Sequence, residues 1–295
     1  MTELPGGISE KLASLGLDPA EVRLVIAAAL AEDLRDGPDV TTLATIPADL
    51  NGTADVVARA PGVVAGLVVA EAVFAAQSGG ISARRRVADG DRVAAGTTLM
   101  TVQGPLQAIL TAERPALNLL THLSGVATLT RLWADAIAGS GARIRDTRKT
   151  LPGLRMLEKY AVRCGGGVNH RMSLGDAALI KDNHVAAAGS VTAAFQAVSK
   201  LAPELPVEVE CDTVEQVAEA VRAGAGLILL DNFAPALMRE AVRLAGGRAL
   251  LEASGGLRLE NAAEVAGTGV DFLAVGALTH SAPALDIALD LIAAG

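Results

Sequence analysis

The chain has 295 residues, enough for one large buried core or two smaller ones. Half of it is apolar (51%), only 2% is aromatic, and the net charge is -8, which excludes a base-stacking platform and a general nucleic-acid or membrane-surface binder. The charge is uneven: the stretch from Arg143 to Lys181 holds nine Lys or Arg and three acids, a balance of +6 that leaves -14 on the remainder. A cationic island in an acidic chain suits a small polyanion, although a solvated helix face would carry the same charges.

Two cysteines, Cys164 and Cys211, show no pairing pattern, so a reducing, cytoplasmic setting is expected. No signal peptide is expected, and the longest early apolar run, Leu24–Ala31, is too short to span a bilayer and reads as a buried helix. Pro19–Leu34 is predicted helical with Asp18 as N-cap, and Gly37-Pro38-Asp39 breaks it. From Gly52 to Gly104, β-branched runs alternate with Gly-containing turns such as Gly90-Asp91 and Gly96-Thr97, which predicts a compact antiparallel sheet. This segment resembles the hammerhead sheet of biotinyl and lipoyl carrier domains without their modified lysine, so the likeness is structural only.

A helix is predicted from Glu113 to about Ile137, and then the grammar changes. Short apolar runs end in polar residues: Ala142–Arg145 at Asp146, Ala177–Ile180 at Lys181, Val207–Val209 at Glu210, Leu227–Leu230 at Asp231, Leu250-Leu251 at Glu252, and Phe272–Val275 at Gly276. Helical segments lie between them at Leu154–Arg163, Val191–Leu201, Val214–Ala223, Ala236–Leu244 and Leu259–Ala266. Repeated β-α implies a parallel sheet with right-handed crossovers. The expected fold is therefore α/β: an N-terminal α+β domain over residues 1–126, joined by the C-terminal segment 283–295, and an incomplete (β/α) barrel over 127–282. Polar residues just after barrel strands mark the catalytic face.

The candidate chemistry sits at those strand ends. Arg148 and Lys149 suit carboxylate or phosphate recognition, Arg as a planar fork and Lys as a compact charge. Gly165-Gly166-Gly167 could present backbone N–H groups to an anion, with His170 and Arg171 as further donors; a plain turn beside a satisfied histidine is the competing account. Lys181 ends an apolar strand, so it must reach a polar cavity or a carboxylate. Glu208 and Glu210 alternate onto one face, and Glu210 with Asp231 could bind a hard divalent cation, or else pair with the nearby lysines and arginines. Ser254-Gly255-Gly256 and Gly276 follow the last strands, where barrels often bind phosphate.

The motifs Glu113-Arg114-Pro115, Ser124-Gly125-Val126-Ala127-Thr128, Asp146–Thr150, Gly165–Arg171, Leu179–His184, Val209-Glu210, Leu230-Asp231-Asn232, Glu252–Gly256 and Val275-Gly276 occur in order along nearly the whole chain. Together they resemble quinolinate phosphoribosyltransferases. The resemblance implies phosphoribosyl transfer from 5-phosphoribosyl 1-pyrophosphate to quinolinate with decarboxylation. It implies that Arg148, His170 and Arg171 hold the quinolinate carboxylates, joined by Arg114 of a neighbouring subunit. Lys149 and Lys181 would stabilise negative charge, Glu210 and Asp231 would organise Mg²⁺ and the ribose, and Ser254, Gly255, Gly256 and Gly276 would take the 5-phosphate. It also implies a homodimer with shared active sites, with a hexamer as the alternative, and no nucleic-acid or membrane partner. Rival readings are a phosphate-binding barrel lyase or isomerase, which has no need of paired Arg148 and Arg171; a molybdenum-cluster protein of similar fold, which the same cations argue against; and a non-catalytic metabolite sensor, which has no need of Glu210 and Asp231.

Overall fold

The computed structural model describes residues 4–78 and 80–292. Its chain contacts divide into two compact units. The first takes in Met1–Leu129, Leu151–Gly166 and Thr279–Gly295, and the second Thr130–Thr150 and Gly167–Leu278. Residues 151–166 thus group with the N-terminal part, where the sequence reading had set them in the barrel. Among the described residues no helix is long and apolar enough to cross a membrane.

The first unit opens with helices α1 (Gly6–Ser14), α2 (Pro19–Asp33) and α3 (Val40–Thr45). The Asp18 carboxylate accepts from the Ala20 N–H as the N-cap of α2, and Asp39 does the same for Thr42 at the start of α3. Contrary to the buried helix expected from Leu24–Ala31, α2 buries only Val22 and Ile26, and Leu24 is 59% exposed. The sheet strands here are β1 (Asn51–Ala58), β2 (Gly62–Val63), β3 (Ser82–Arg85), β4 (Arg92–Val93) and β5 (Thr98–Pro105). β1 lies between β5 and the C-terminal strand Ile287–Ile292, and β3 flanks β5, all antiparallel, while β2 pairs with β4.

Helix α4 (Leu67–Gln77) interrupts the region read as sheet alone. Eight of its residues, Leu67 to Phe74, are buried, and a helix covered on nearly every side, with Glu71 as its one charged residue, shows no amphipathic periodicity. The long helix α5 (Leu106–Ala136) carries Pro115 internally, and α6 (Arg155–Cys164) completes the unit. The Ser124–Thr128 motif serves packing here. The Ser124 and Thr128 hydroxyls accept from the Ala65 and Val63 N–H groups, and a Cβ on Gly125 would fall 2.1 Å from the Pro283 carbonyl oxygen.

The second unit is a parallel sheet of β6 (Arg143–Arg145), β7 (Ala178–Ile180), β8 (Val207–Cys211), β9 (Leu227–Asp231), β10 (Leu250–Ser254) and β11 (Phe272–Ala274). Its order is β6-β11-β10-β9-β8-β7. The first strand therefore comes round to pair with the last, and no ladder joins β6 to β7 among the described residues: the barrel is incomplete, as expected. Helices α7 (Asp182–Ala188), α8 (Val191–Leu201), α9 (Val214–Ala223) and α10 (Pro235–Ala245) connect the strands. Ser190 and Thr213 N-cap α8 and α9, and Gly224 and Gly246 close α9 and α10 in left-handed conformations.

Candidate active site

Parallel strands deliver their C-terminal residues to one rim, and that rim encloses a cavity of about 360 Å³. Thr147, Arg148 and Lys149 after β6, Lys181 after β7, Glu210 on β8, Asp231 on β9, Glu252 and Ser254 on β10, and Ala274 on β11 all line it, with His170 and Arg171. Eight of the twelve residues singled out from the sequence meet here: Arg148, Lys149, His170, Arg171, Lys181, Glu210, Asp231 and Ser254. Gly255, Gly256 and Gly276 follow the ends of β10 and β11 without lining the cavity. Arg114 belongs to the first unit and is exposed on α5.

Lys181 and Glu210 form an ion pair on the rim. Lys181 Nζ donates to Glu210 Oε2 at 2.8 Å, so the lysine that ends an apolar strand finds both its carboxylate and its polar cavity. Asp231 Oδ2 accepts from the Asn232 side-chain amide at 2.7 Å. Arg171 Nη1 donates to the Ala177 carbonyl at 3.0 Å. Burial, and then the like charge of Arg148, pull the Arg171 guanidinium below its usual range. The Arg148 Nε is buried with no hydrogen-bond partner.

Asn232 holds an uncommon left-handed conformation at φ 55°, and its N–H donates to the Ser254 carbonyl at 2.9 Å. Gly255 at φ +83° is packed so closely that a Cβ would lie 2.1 Å from Asn232 Oδ1. The Gly165-Gly166 pair does not form the anion nest considered from sequence. The Gly165 N–H donates to Ala161 O and the Gly166 N–H to Arg163 O, both at 2.9 Å, which closes α6.

Sequence reasoning assigned no role to a polar layer under the cavity. Arg145 Nη1 donates to Glu252 Oε2 at 2.8 Å, and His170 Nε2 lies 2.6 Å from Glu208 Oε2 and 3.8 Å from Glu252 Oε1. The His170 N–H donates to Asp146 Oδ1 at 2.8 Å. Burial first, and then the charge of Glu208, push the Glu252 carboxyl up to about 8 against the pull of Arg145. The available signal was the alternation of Glu208 with Glu210: two residues apart on one strand, both must point inward.

A family model for the quinolinate phosphoribosyl transferase N-terminal domain matches residues 39–124, and one for the C-terminal domain matches residues 126–290. The chain belongs to the quinolinate phosphoribosyltransferase family. Among curated members, it is 57% identical over 276 residues to a carboxylating nicotinate-nucleotide pyrophosphorylase of Mycobacterium leprae, covering 91% of this chain and 96% of that one. It is 42% identical to a probable enzyme of the same name from Bacillus subtilis, over 81% and 83% of the two chains. Among solved members, the nicotinate-nucleotide pyrophosphorylase from Francisella tularensis superposes with a TM-score of 0.89 at 37% identity, over 92% of this chain and 96% of that chain.

Proposed function

We propose that this chain transfers the 5-phosphoribosyl group from its 1-pyrophosphate donor to the ring nitrogen of quinolinate, with loss of the 2-carboxylate as CO2, giving nicotinate mononucleotide and pyrophosphate for NAD synthesis. The observation that carries this reading is the convergence of Arg148, Lys149, Arg171 and Lys181 with Glu210 and Asp231 on one cavity. A dicarboxylate and a pyrophosphate together need that many cations, and a ribosyl group needs carboxylates beside them.

Arg148 and Arg171 take the two quinolinate carboxylates. The like charges that destabilise each other in the free site are offset when a dianion lies between them, and the buried Arg148 Nε gains an acceptor. The ring nitrogen then faces the anomeric carbon, and the C–O bond to pyrophosphate breaks through an oxocarbenium-like state. Lys149 and Lys181 stabilise the charge on the departing oxygens. The Lys181–Glu210 ion pair holds the ammonium over the cavity. Once the ring nitrogen is ribosylated, it accepts the electron pair left at C2 as CO2 departs, and C2 then takes a proton. Positioning and electrostatics supply the catalysis, without a covalent intermediate on the protein.

Glu210 and Asp231 also fit Mg²⁺. Each is a hard oxygen donor on a neighbouring strand, and each keeps a second carboxylate oxygen beyond the Lys181 and Asn232 contacts. Bound there with the donor, the ion would neutralise pyrophosphate charge. Ser254, Gly255, Gly256 and Gly276 are the proposed 5-phosphate loops. Arg114 is proposed to complete the site of a partner copy in a homodimer. The two free thiols, Cys164 and Cys211, both pushed up to about 12 by burial, agree with a reducing cytoplasm. The test is product analysis with quinolinate, donor and Mg²⁺. Nicotinate mononucleotide should form from quinolinate and not from nicotinate; equal turnover of nicotinate would overturn the dicarboxylate assignment.

A further inference from the structure

The buried layer under the cavity contains more ionisable groups than the transfer chemistry uses. Glu208 and Glu252 are 3% and 0% exposed, Asp146 is 0% exposed, and His170 is 8% exposed. Groups so costly to bury need a reason to be there.

Their hydrogen bonds fix the state of His170. The Arg171 N–H donates to His170 Nδ1 at 2.7 Å, so Nδ1 carries no proton. The single ring proton is then on Nε2, and it is donated to Glu208 Oε2 at 2.6 Å. The second carboxylate, Glu252, does not compete for that proton. Its Oε2 is held by Arg145 at 2.8 Å, Arg145 is itself braced over the Phe272 ring at 4.9 Å, and Oε1 stays 3.8 Å from the imidazole.

With both nitrogens engaged inside the chain, the ring has no donor left for a substrate carboxylate. What it holds instead is backbone. Asp146 takes the His170 N–H and the ring takes the Arg171 N–H, so two successive amides are clamped immediately before the Arg171 guanidinium. Each brace removes freedom that the arginine would otherwise lose on binding substrate.

We infer that Glu208 is a positioning residue for dicarboxylate recognition, acting through His170 to fix the backbone that sets Arg171 in the cavity. Arg145 and Glu252 support it by leaving Glu208 as the acceptor for the imidazole proton. The inference rests on the quinolinate reading for its substrate, but the tautomer on which it depends can be tested on the free protein.

Two measurements decide it. In ¹⁵N spectra of the wild-type protein, His170 should show the neutral ring with its proton on Nε2, unchanged when quinolinate saturates the site. A proton on Nδ1, or a ring that becomes doubly protonated with quinolinate, would overturn the inference whether or not the enzyme turns over. In steady-state kinetics, Glu208→Ala should raise the quinolinate KM roughly tenfold, the size expected for one lost buried hydrogen bond to a charged group. The donor KM and kcat should move less than about twofold, since neither depends directly on the brace. Glu208→Gln, whose amide oxygen still accepts from Nε2–H, should restore the quinolinate KM. Parallel losses in kcat and both KM values, or a quinolinate KM unmoved in the alanine variant, would mean that Glu208 only supports the fold. If the alanine variant does not fold, the glutamine variant decides: a quinolinate KM raised as much as tenfold there contradicts the inference. Absence of nicotinate mononucleotide in the wild type would instead remove the quinolinate reading and leave the tautomer result standing.

Discussion

Gly255→Ala probes how tightly the loop after β10 is built against the end of β9. Gly255 has φ +83°, and a methyl there would lie 2.1 Å from Asn232 Oδ1 and 2.6 Å from Asn232 Cγ. Asn232 cannot simply turn away. Its own φ is 55°, its N–H is bonded to Ser254 O at 2.9 Å, and its amide is bonded to Asp231 at 2.7 Å. The left-handed backbone costs an alanine about 1–2 kcal/mol. Relieving the overlap adds about 1–3 kcal/mol, as for other overpacked sites, so the loss should be about 2–5 kcal/mol. Gly256→Ala is the internal control: φ is +62° but nothing lies within 4 Å of the new methyl, so only the backbone cost of about 1–2 kcal/mol applies. Urea unfolding of the three proteins gives the difference, and the donor KM reports whether displaced Asn232 carries Asp231 with it. Equal losses of stability in the two alanine variants would refute the packing argument.

Arg148→Ala and Arg171→Ala should each weaken quinolinate binding by about 1.5–3 kcal/mol, the worth of a charge-assisted contact; calorimetry showing unchanged affinity in both would displace the dicarboxylate pocket. Glu210→Gln and Asp231→Asn should leave thermal stability nearly unchanged while lowering turnover and shifting its Mg²⁺ dependence, and normal turnover at limiting Mg²⁺ would count against their role. Glu252 sets a pH dependence of stability. Its carboxyl is pushed from 4.5 up to about 8 in the folded protein, so between those values the folded state holds a proton that the unfolded state has lost. Its contribution is complete below pH 4.5 and falls as pH rises toward 8, by at most about 1.4 kcal/mol per pH unit. Thermal melts from pH 5 to 8 should therefore show wild type losing stability relative to Glu252→Gln, and a constant difference would place Glu252 at its ordinary value. If the proposed homodimer shares its sites, mixing inactive Arg114→Ala and Lys149→Ala proteins under subunit exchange restores roughly a quarter of wild-type activity, because each mixed dimer then has one intact site; verified exchange without recovery would place Arg114 in its own chain's site.

Much of the barrel could be read from the sequence because its periodicities are clean. Val191–Leu201 and Val214–Ala223 were bounded to the residue, since each begins just after a hydroxyl N-cap and has one apolar face. The elements missed carry no such contrast. α4 is buried nearly throughout, and α7 follows Lys181 directly with no buried residue. α2 shows the converse failure, because a run of Ala, Leu and Val says nothing about which neighbours cover it. At the site, polar residues ending apolar strands identified the rim, where the chain must expose charge to water or ligand. The pairing of Glu208 with His170 and of Glu252 with Arg145 stayed hidden, because alternation shows that a charge points inward but not which partner meets it.

The most direct test of the reaction follows the two carboxylates separately. Quinolinate labelled at the 2-carboxylate, incubated with the wild-type protein, 5-phosphoribosyl 1-pyrophosphate and Mg²⁺, should release its label as CO2 in step with pyrophosphate, while label at the 3-carboxylate should stay in nicotinate mononucleotide. Pyrophosphate release with the 2-carboxylate retained, or no release of either product, would contradict the proposed activity.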